Sequence, residues 1–464
     1  MKEGNNTGNS SPPGKSRSSF SGKLGYVLAV AGSAVGLGNI WRFPYLAAKY
    51  GGGIFLLVYL ILMLTFGYAL IVSETALGRM TKRSPVGAFG TFGTSAPFRF
   101  GGWINAVIPM LIVPYYSVIG GWVTKYLYEY LRGNTAGLAG DDYFSGFIAN
   151  SSSVLWFLLF SLMVIAVLFA GVKQGIERVS KIMMPLLVLL AIFVAIYSMT
   201  RPGAFEGVIY FLVPNLEHFS WMTVVAAMGQ MFYSLSIAMG ILYTYGSYLK
   251  KEVDIEKSTT QVEIFDTSIA MLAGLMIIPA VFAFSGGNPD TLKAGPSLMF
   301  ITIPKVFASM DFGSVAGLMF FLLVLLAALT SAISLAESGV STFEDQLHLN
   351  RHKATLLMGV IIVLFGCASA LGFGIWDFIC PLGMSILDFF DFLTNSIMMP
   401  LAALATCLLI TRIVGLDRIA QEMEQSSAFK RKNMYNLFMR YLAPVCIVLI
   451  LLSSVANVMG WISM

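Results

Sequence analysis

Ala31-Gly32-Ser33-Ala34-Val35-Gly36-Leu37-Gly38-Asn39 sits in the middle of the first long apolar run of the chain. Glycine weakens a helix by about 1 kcal/mol relative to alanine at each interior position, so this run predicts a helix that opens halfway along. A second stretch, Ser234-Leu235-Ser236-Ile237-Ala238-Met239-Gly240, interrupts a later run in the same way, beside polar Gln230 and Tyr233. Most of the other apolar runs are plain Leu, Ile, Val and Phe. With 57% hydrophobic and 11% charged residues and a mean hydropathy of +0.78 over 464 residues, the chain is built for a hydrocarbon solvent rather than for water.

A bilayer span takes about 20 largely apolar residues. The sequence therefore predicts an all-α integral membrane protein with about eleven spans, near 24–48, 53–78, 101–130, 153–171, 178–200, 221–249, 258–285, 312–343, 354–373, 383–413 and 436–461. Unwound backbone at mid-depth is tolerated only where it is buried or lines a cavity, because each free amide or carbonyl costs several kcal/mol in lipid. Each interrupted run, the first and the sixth, opens a set of five. This predicts an inverted repeat with residues 22–200 (helices 1–5) and 221–413 (helices 6–10) as its halves and 436–461 as helix 11. Half-helix N-termini offer N–H groups to an anion, and freed carbonyls suit a cation or an ammonium group. A zwitterion satisfies both. Close packing of small residues is the alternative reading of the same glycines.

Lys23, Arg79, Lys82, Arg83, Arg99, Lys173, Arg178, Lys181, Lys250, Lys251, Lys257, Arg351, Lys353, Arg412, Arg418 and the basic run 430–432 fall in alternate connections. The positive-inside rule makes those connections cytoplasmic and places the N-terminus inside a cell (inner) membrane. Topology thus accounts for the net charge of +5, which carries no hint of nucleic acid. Residues 1–21, rich in Ser, Gly, Asn and Pro, read as a disordered cytoplasmic tail. Cys367, Cys380, Cys407 and Cys446 lie in or beside spans, so no disulfide is expected. His218, His348 and His352 fall in predicted loops or helix ends without ligand spacing, which argues against a membrane enzyme.

The run Gly36-Leu37-Gly38-Asn39-Ile40-Trp41-Arg42-Phe43-Pro44, followed by Gly51-Gly52-Gly53, Glu74 and Gly78-Arg79, resembles the neurotransmitter:sodium symporter family in its bacterial amino acid branch. The resemblance extends from about Arg17 to the end of helix 11. It implies a secondary active transporter working by alternating access on a ten-helix core, and it leaves the oligomeric state open. It also implies two sodium ions. One would be held by the carbonyls of Gly32 and Val35 with Ala327, Thr330 and Ser331, which share a helix face by their i, i+3, i+4 spacing and present the hard oxygens such a cation takes. The other would be held by the Ala34 carbonyl, Asn39, Ser234 and Asp266, with the substrate carboxylate completing the shell. Asp266 stands where relatives often carry Asn. It also falls beside Tyr59, Gln230 and Ser234, the counterparts of chloride ligands, while Ala270 replaces a hydroxyl. The expectation is that an ionised Asp266 supplies the charge that chloride supplies elsewhere, making transport chloride-independent.

For the solute, the resemblance places a carboxylate at the N–H groups of Leu37 and Gly38 and the Tyr116 hydroxyl, and an ammonium at the carbonyls of Ala34, Tyr233 and Ser234. Ile112, Tyr116, Tyr233, Ser236, Met239, Ser331 and Leu335 would line the side-chain pocket. No Arg or Lys is among them, so a neutral and hydrophobic amino acid fits; the Tyr233 hydroxyl keeps open a polar zwitterion such as taurine or a β-amino acid. Gly36, where monoamine carriers hold Asp, argues against an amine lacking its own carboxylate. Arg42 with Asp391 would form the outer gate. Arg17 with Asp345 would form the inner one, braced by Ser247 and Tyr248, and Phe20 replaces a usual Trp there. Glu74 and Glu337 are further intramembrane acids without an assigned role. A proton-coupled carrier of the same fold, relaying through Asp266 or Glu337, is the competing reading, and a channel or sensor would share the site without concentrating its solute.

Overall fold

The computed structural model describes residues 19–287 and 295–458. Helix 1 runs Lys23–Ala34 and resumes as Gly38–Lys49, with a 54° bend at the break. Val35 leaves the helical region with ψ 97°, at the glycine-rich stretch that opens the chain's first apolar run. Helices 2 to 5 are Gly53–Thr81, Ala96–Leu131, Ser152–Phe169 and Val172–Met199. Helices 7 to 11 are Ile255–Ser285, Gly313–Gln346, Arg351–Leu371, Ile386–Val414 and Lys432–Asn457. Nine described helices are long and apolar enough to span a bilayer, and the bent helix 1 makes ten. The remaining predicted span, helix 6, is divided into Trp221–Ser234 and Ile241–Ser247, neither long enough alone. Among the described residues there is no strand, only an isolated bridge between Gly52 and Pro214.

Helix 6 starts on a capping box, with the Ser220 hydroxyl accepting from the Thr223 N–H. It stops where Ser236, Ala238 and Gly240 take φ of 54°, 59° and 68°. Left-handed backbone costs a residue other than glycine roughly 1–2 kcal/mol, and local contacts offset it. The Ala238 N–H donates to Glu74 Oε1 of helix 2 at 2.9 Å, and the Ser236 hydroxyl donates to the Ser33 carbonyl of helix 1 at 3.0 Å. The two unwound segments are therefore hydrogen-bonded to each other.

Several boundaries move from the hydropathy reading. Helix 3 begins at Ala96 rather than near 101, because Ser95 and Pro97 form an ordinary helix start. Helix 5 begins with a π-turn, Val172–Glu177, after Gly171 at φ 81°; its polar Lys173, Gln174 and Glu177 hide it from an apolar count. Helix 11 starts at Lys432, and the predicted end at 459–461 lies outside the described residues. Helix 3 packs against helix 8, and the first half of helix 1 lies among helices 5, 7 and 8. The buried share of the most apolar window falls from 89% in helix 3 to 22% in helix 11, which makes helix 3 a central element and helix 11 a peripheral one.

Candidate ion and substrate site

Asp266 is fully buried in helix 7. Its Oδ1 accepts from Asn39 Nδ2 at 2.8 Å, its Oδ2 from the Tyr59 hydroxyl at 2.9 Å, and the Ser234 hydroxyl reaches both oxygens at 2.9 and 3.1 Å. Asn39 Nδ2 also lies 3.0 Å from Ser234 Oγ, and Asn39 Oδ1 accepts from the Gly36 N–H at 3.2 Å. Residues 39, 59, 234 and 266 thus converge from helices 1, 2, 6 and 7. Every donor to this carboxylate is neutral, and among the described residues it forms no ion pair. Gln230, grouped with them on sequence, makes no hydrogen bond to them among the described residues. Its Nε2 donates to the Gly38 carbonyl at 3.0 Å, an acceptor at the head of the π-turn of helix 1, and its Oε1 is buried without a partner.

On the other flank of the helix 1 break, Ser331 Oγ lies 3.3, 3.1 and 3.2 Å from the carbonyl oxygens of Gly32, Ser33 and Val35. One hydroxyl proton serves one acceptor well, so electron-rich oxygens crowd a single point. Thr330 stands beside it, its hydroxyl bonded to the carbonyls of Leu326 and Ala327 at 3.0 and 3.1 Å. Such a group of uncharged oxygens is the donor set of a hard cation.

Between these clusters is a small cavity of about 30 Å³, lined by Ser33, Ala34, Gly36, Leu37, Gly38, Asn39, Ile112, Tyr116, Tyr233, Ser234, Ser236, Met239, Ser331 and Leu335. The sequence-derived substrate residues all lie on this wall, joined by Ser33, Gly36 and Asn39. The Leu37 N–H points to the Tyr116 hydroxyl at 3.1 Å. A Cβ on Gly36 would meet Ser331 Oγ at 2.6 Å and the Tyr116 hydroxyl at 2.8 Å, so the wall admits no side chain there without displacing both.

The profile of the sodium:neurotransmitter symporter family matches residues 17–140 and 142–461. The chain belongs to the sodium:neurotransmitter symporter family. It is a sodium-dependent, multi-pass secondary transporter and not an enzyme. It is similar to the uncharacterized sodium-dependent transporter YhdH of Bacillus subtilis, 34% identical over 440 residues that cover 94% of this chain and 97% of that protein. A Haemophilus influenzae sodium-dependent transporter is 32% identical, with 95% and 98% covered. The crystal structure of MhsT in complex with L-phenylalanine superposes with a TM-score of 0.85 at 37% identity, covering 95% of this chain and all of that one.

A larger cavity of about 360 Å³ opens above the small one, lined by Arg42, Tyr115, Asp388, Asp391 and Asn395 among others. Leu37, Tyr116 and Tyr233 border both cavities and form the partition of the symporter. Arg42 and Asp391 face this vestibule without forming an ion pair. Arg42 lies 5.3 Å from the Tyr233 ring centroid, while Asp391 accepts from Asn395 Nδ2 at 2.7 Å and from the Tyr115 hydroxyl at 3.1 Å. At the other end of helix 1 an aromatic cluster forms around Phe20. Phe20 is buried, edge-on to Tyr26, Tyr245 and Tyr248 at 5.9, 5.5 and 6.0 Å. Arg17 lies outside the described residues; Asp345 accepts the Ser84 N–H, and Ser247 bonds to the Thr244 carbonyl at 2.6 Å.

Two acids that sequence reasoning left unassigned acquire partners here. Glu74 receives the Ala238 N–H, as above, and its Oε2 is buried without one. Glu337 takes the Arg351 guanidinium through both oxygens at 2.7 and 2.6 Å, and the Tyr248 hydroxyl at 2.7 Å. Intramembrane position singles out Glu337 in the sequence, and Glu74 also belongs to the family motif, but neither signal names a partner, since both partnerships depend on the fold.

Proposed function

We propose that this symporter couples two sodium ions to the uptake of a neutral amino acid with an apolar side chain, without chloride. Asp266 carries the reading: a buried carboxylate, held by three neutral side chains and paired with no basic residue described, is stable as an anion only beside a bound cation. One ion is assigned to Ala34, Asn39, Ser234 and Asp266, and the other to Gly32, Val35, Ala327, Thr330 and Ser331. The Asp266 charge takes the place of an anion, which favours chloride independence. Residues 22–200 and 221–413 are taken as the two repeats.

The substrate carboxylate is assigned to the unwound backbone at Leu37 and Gly38 with Tyr116, and its side chain to Ile112, Met239 and Leu335. The phenylalanine bound by MhsT supports an apolar substrate. The alternating basic residues favour a cytoplasmic N-terminus, so that the vestibule of Arg42 opens outward. A tenfold sodium gradient with ~100 mV supplies ~1.4 plus ~2.3 kcal/mol per ion. Two ions give ~7 kcal/mol, a ceiling of roughly 10⁵-fold accumulation. A proton relay through Glu337 is disfavoured, because Arg351 holds both of its oxygens.

The test is uptake of neutral amino acids, taurine and β-alanine into proteoliposomes, with sodium or choline outside and chloride or gluconate as the anion. Concentrative uptake of an apolar amino acid that needs sodium and ignores chloride is expected. Equal uptake in choline would overturn the sodium assignment; strict chloride dependence would overturn the role given to Asp266.

A further inference from the structure

The connection between helices 9 and 10 exposes more large apolar surface than a loop in water should. Ile375, Phe378 and Leu382 are 65%, 76% and 72% exposed, with Trp376 and Ile379 beside them. Asp377 is the only charged residue between Gly372 and Ser385. The base of the loop is fixed: Phe373 packs edge-on to Trp122 at 5.5 Å, and Gly374 sits so close to the Ala149 carbonyl that a Cβ would collide with it. Leu382 even adopts φ 53°, so an apolar side chain is held outward on left-handed backbone.

We propose that this loop is a membrane anchor, seated in the headgroup and acyl boundary of the leaflet at the Arg42 end. Helix 9 has 21 residues; at 1.5 Å each they cross the ~30 Å hydrocarbon layer, which leaves Gly372 at its edge. Exposed aromatics at the same ends of other helices, Trp221 as the first residue of helix 6 and Phe312 just before helix 8, continue the same belt. The backbone suits this setting, because its turns close locally. The N–H groups of Trp376, Asp377, Ile379, Gly383 and Met384 donate to the carbonyls of Leu371, Gly374, Trp376, Cys380 and Pro381, leaving less polar backbone to be desolvated. Helix 10 starts directly after the loop and carries Asp388 and Asp391 into the vestibule. The anchor therefore ties the vestibule end of that helix to the bilayer.

Trp376 reports on this without a label. In proteoliposomes of the full chain, subtracting the emission of Trp376→Phe from that of the wild type isolates its fluorescence among seven tryptophans. The same signal is then placed at the most exposed position with Phe378→Trp in the Trp376→Phe background. Lipids brominated just below the glycerol backbone should quench either signal strongly, because interfacial side chains seat at that depth, while aqueous iodide quenches it little. Quenching by iodide but not by brominated lipid would put the loop in water and overturn the proposal. Protection from both quenchers would do so too, by placing a second copy of the chain over the patch.

Discussion

Replacing Asp266 with Asn tests the charge while sparing the shape. The amide oxygen can still accept from Asn39 and Ser234, and its nitrogen faces the Tyr59 hydroxyl, which has lone pairs to receive it. Each retained neutral bond is worth about 1 kcal/mol, so little folding stability should be lost. What disappears is one negative charge next to the proposed sodium positions. At about 4 Å and an effective dielectric near 20 the attraction is about 4 kcal/mol, and at twice that distance about 2. Asp266→Asn should therefore raise the half-saturating sodium concentration roughly 30- to 1000-fold. The assay is sodium titration of uptake in proteoliposomes together with equilibrium radiosodium binding, with thermal melting as the folding control. Partial recovery in chloride is also expected, since an anion near Tyr59 and Ser234 could replace the lost charge. A well-folded variant with sodium dependence within about threefold of wild type would refute the argument, because a carboxyl group that only hydrogen-bonds is replaced almost silently by an amide.

Ser331→Ala removes the hydroxyl among the Gly32, Ser33 and Val35 carbonyls; losing one oxygen contact to a charge, worth about 1.5 kcal/mol or more, should make the sodium response at least about tenfold weaker, with a Hill coefficient falling towards one. Gly36→Asp should abolish substrate binding measured by radioligand while the protein still expresses, because its Cβ alone would meet Ser331 and Tyr116. Arg351→Ala leaves buried Glu337 without its cation, and melting should show a loss of about 3–5 kcal/mol. Glu74→Gln keeps an oxygen for the Ala238 N–H whereas Glu74→Ala does not. Uptake should survive the first and fall severely in the second, since an orphaned buried amide costs about 1–3 kcal/mol.

The spans and both breaks were legible because lipid imposes a simple pattern of long apolar runs, which glycine and serine clusters visibly interrupt. The grouping of Asn39, Ser234 and Asp266 was legible through the family motif rather than through spacing, since the three lie on different helices. Helix 5 concealed its polar π-turn from any hydropathy count. Gln230 illustrates a different limit: its residue type suits the Asp266 cluster, but the nearby Gly38 carbonyl claims its amide. The separation of Arg42 from Asp391 was not encoded in the motif either. A two-residue gate of the kind the resemblance implies for this pair would have an open and a closed arrangement, and sequence names the pair without choosing between them.

The two breaks matter less as separate sites than as one shared piece of backbone. The carbonyls of Gly32, Ser33 and Val35 turn to Ser331, while the N–H of Leu37, two residues further on, turns into the small cavity. Asn39 then joins that backbone to Ser234 and Asp266, and Ser236 joins the helix 6 break to the Ser33 carbonyl. A cation held at either proposed site would reorient groups that also line the cavity, because no spare residues insulate them. On the proposed assignment, coupling between ion and solute would follow from the shortness of the unwound segment: Val35 to Leu37 is three residues, too few to serve two ligands independently. Lengthening the break would weaken coupling before it weakened either binding event.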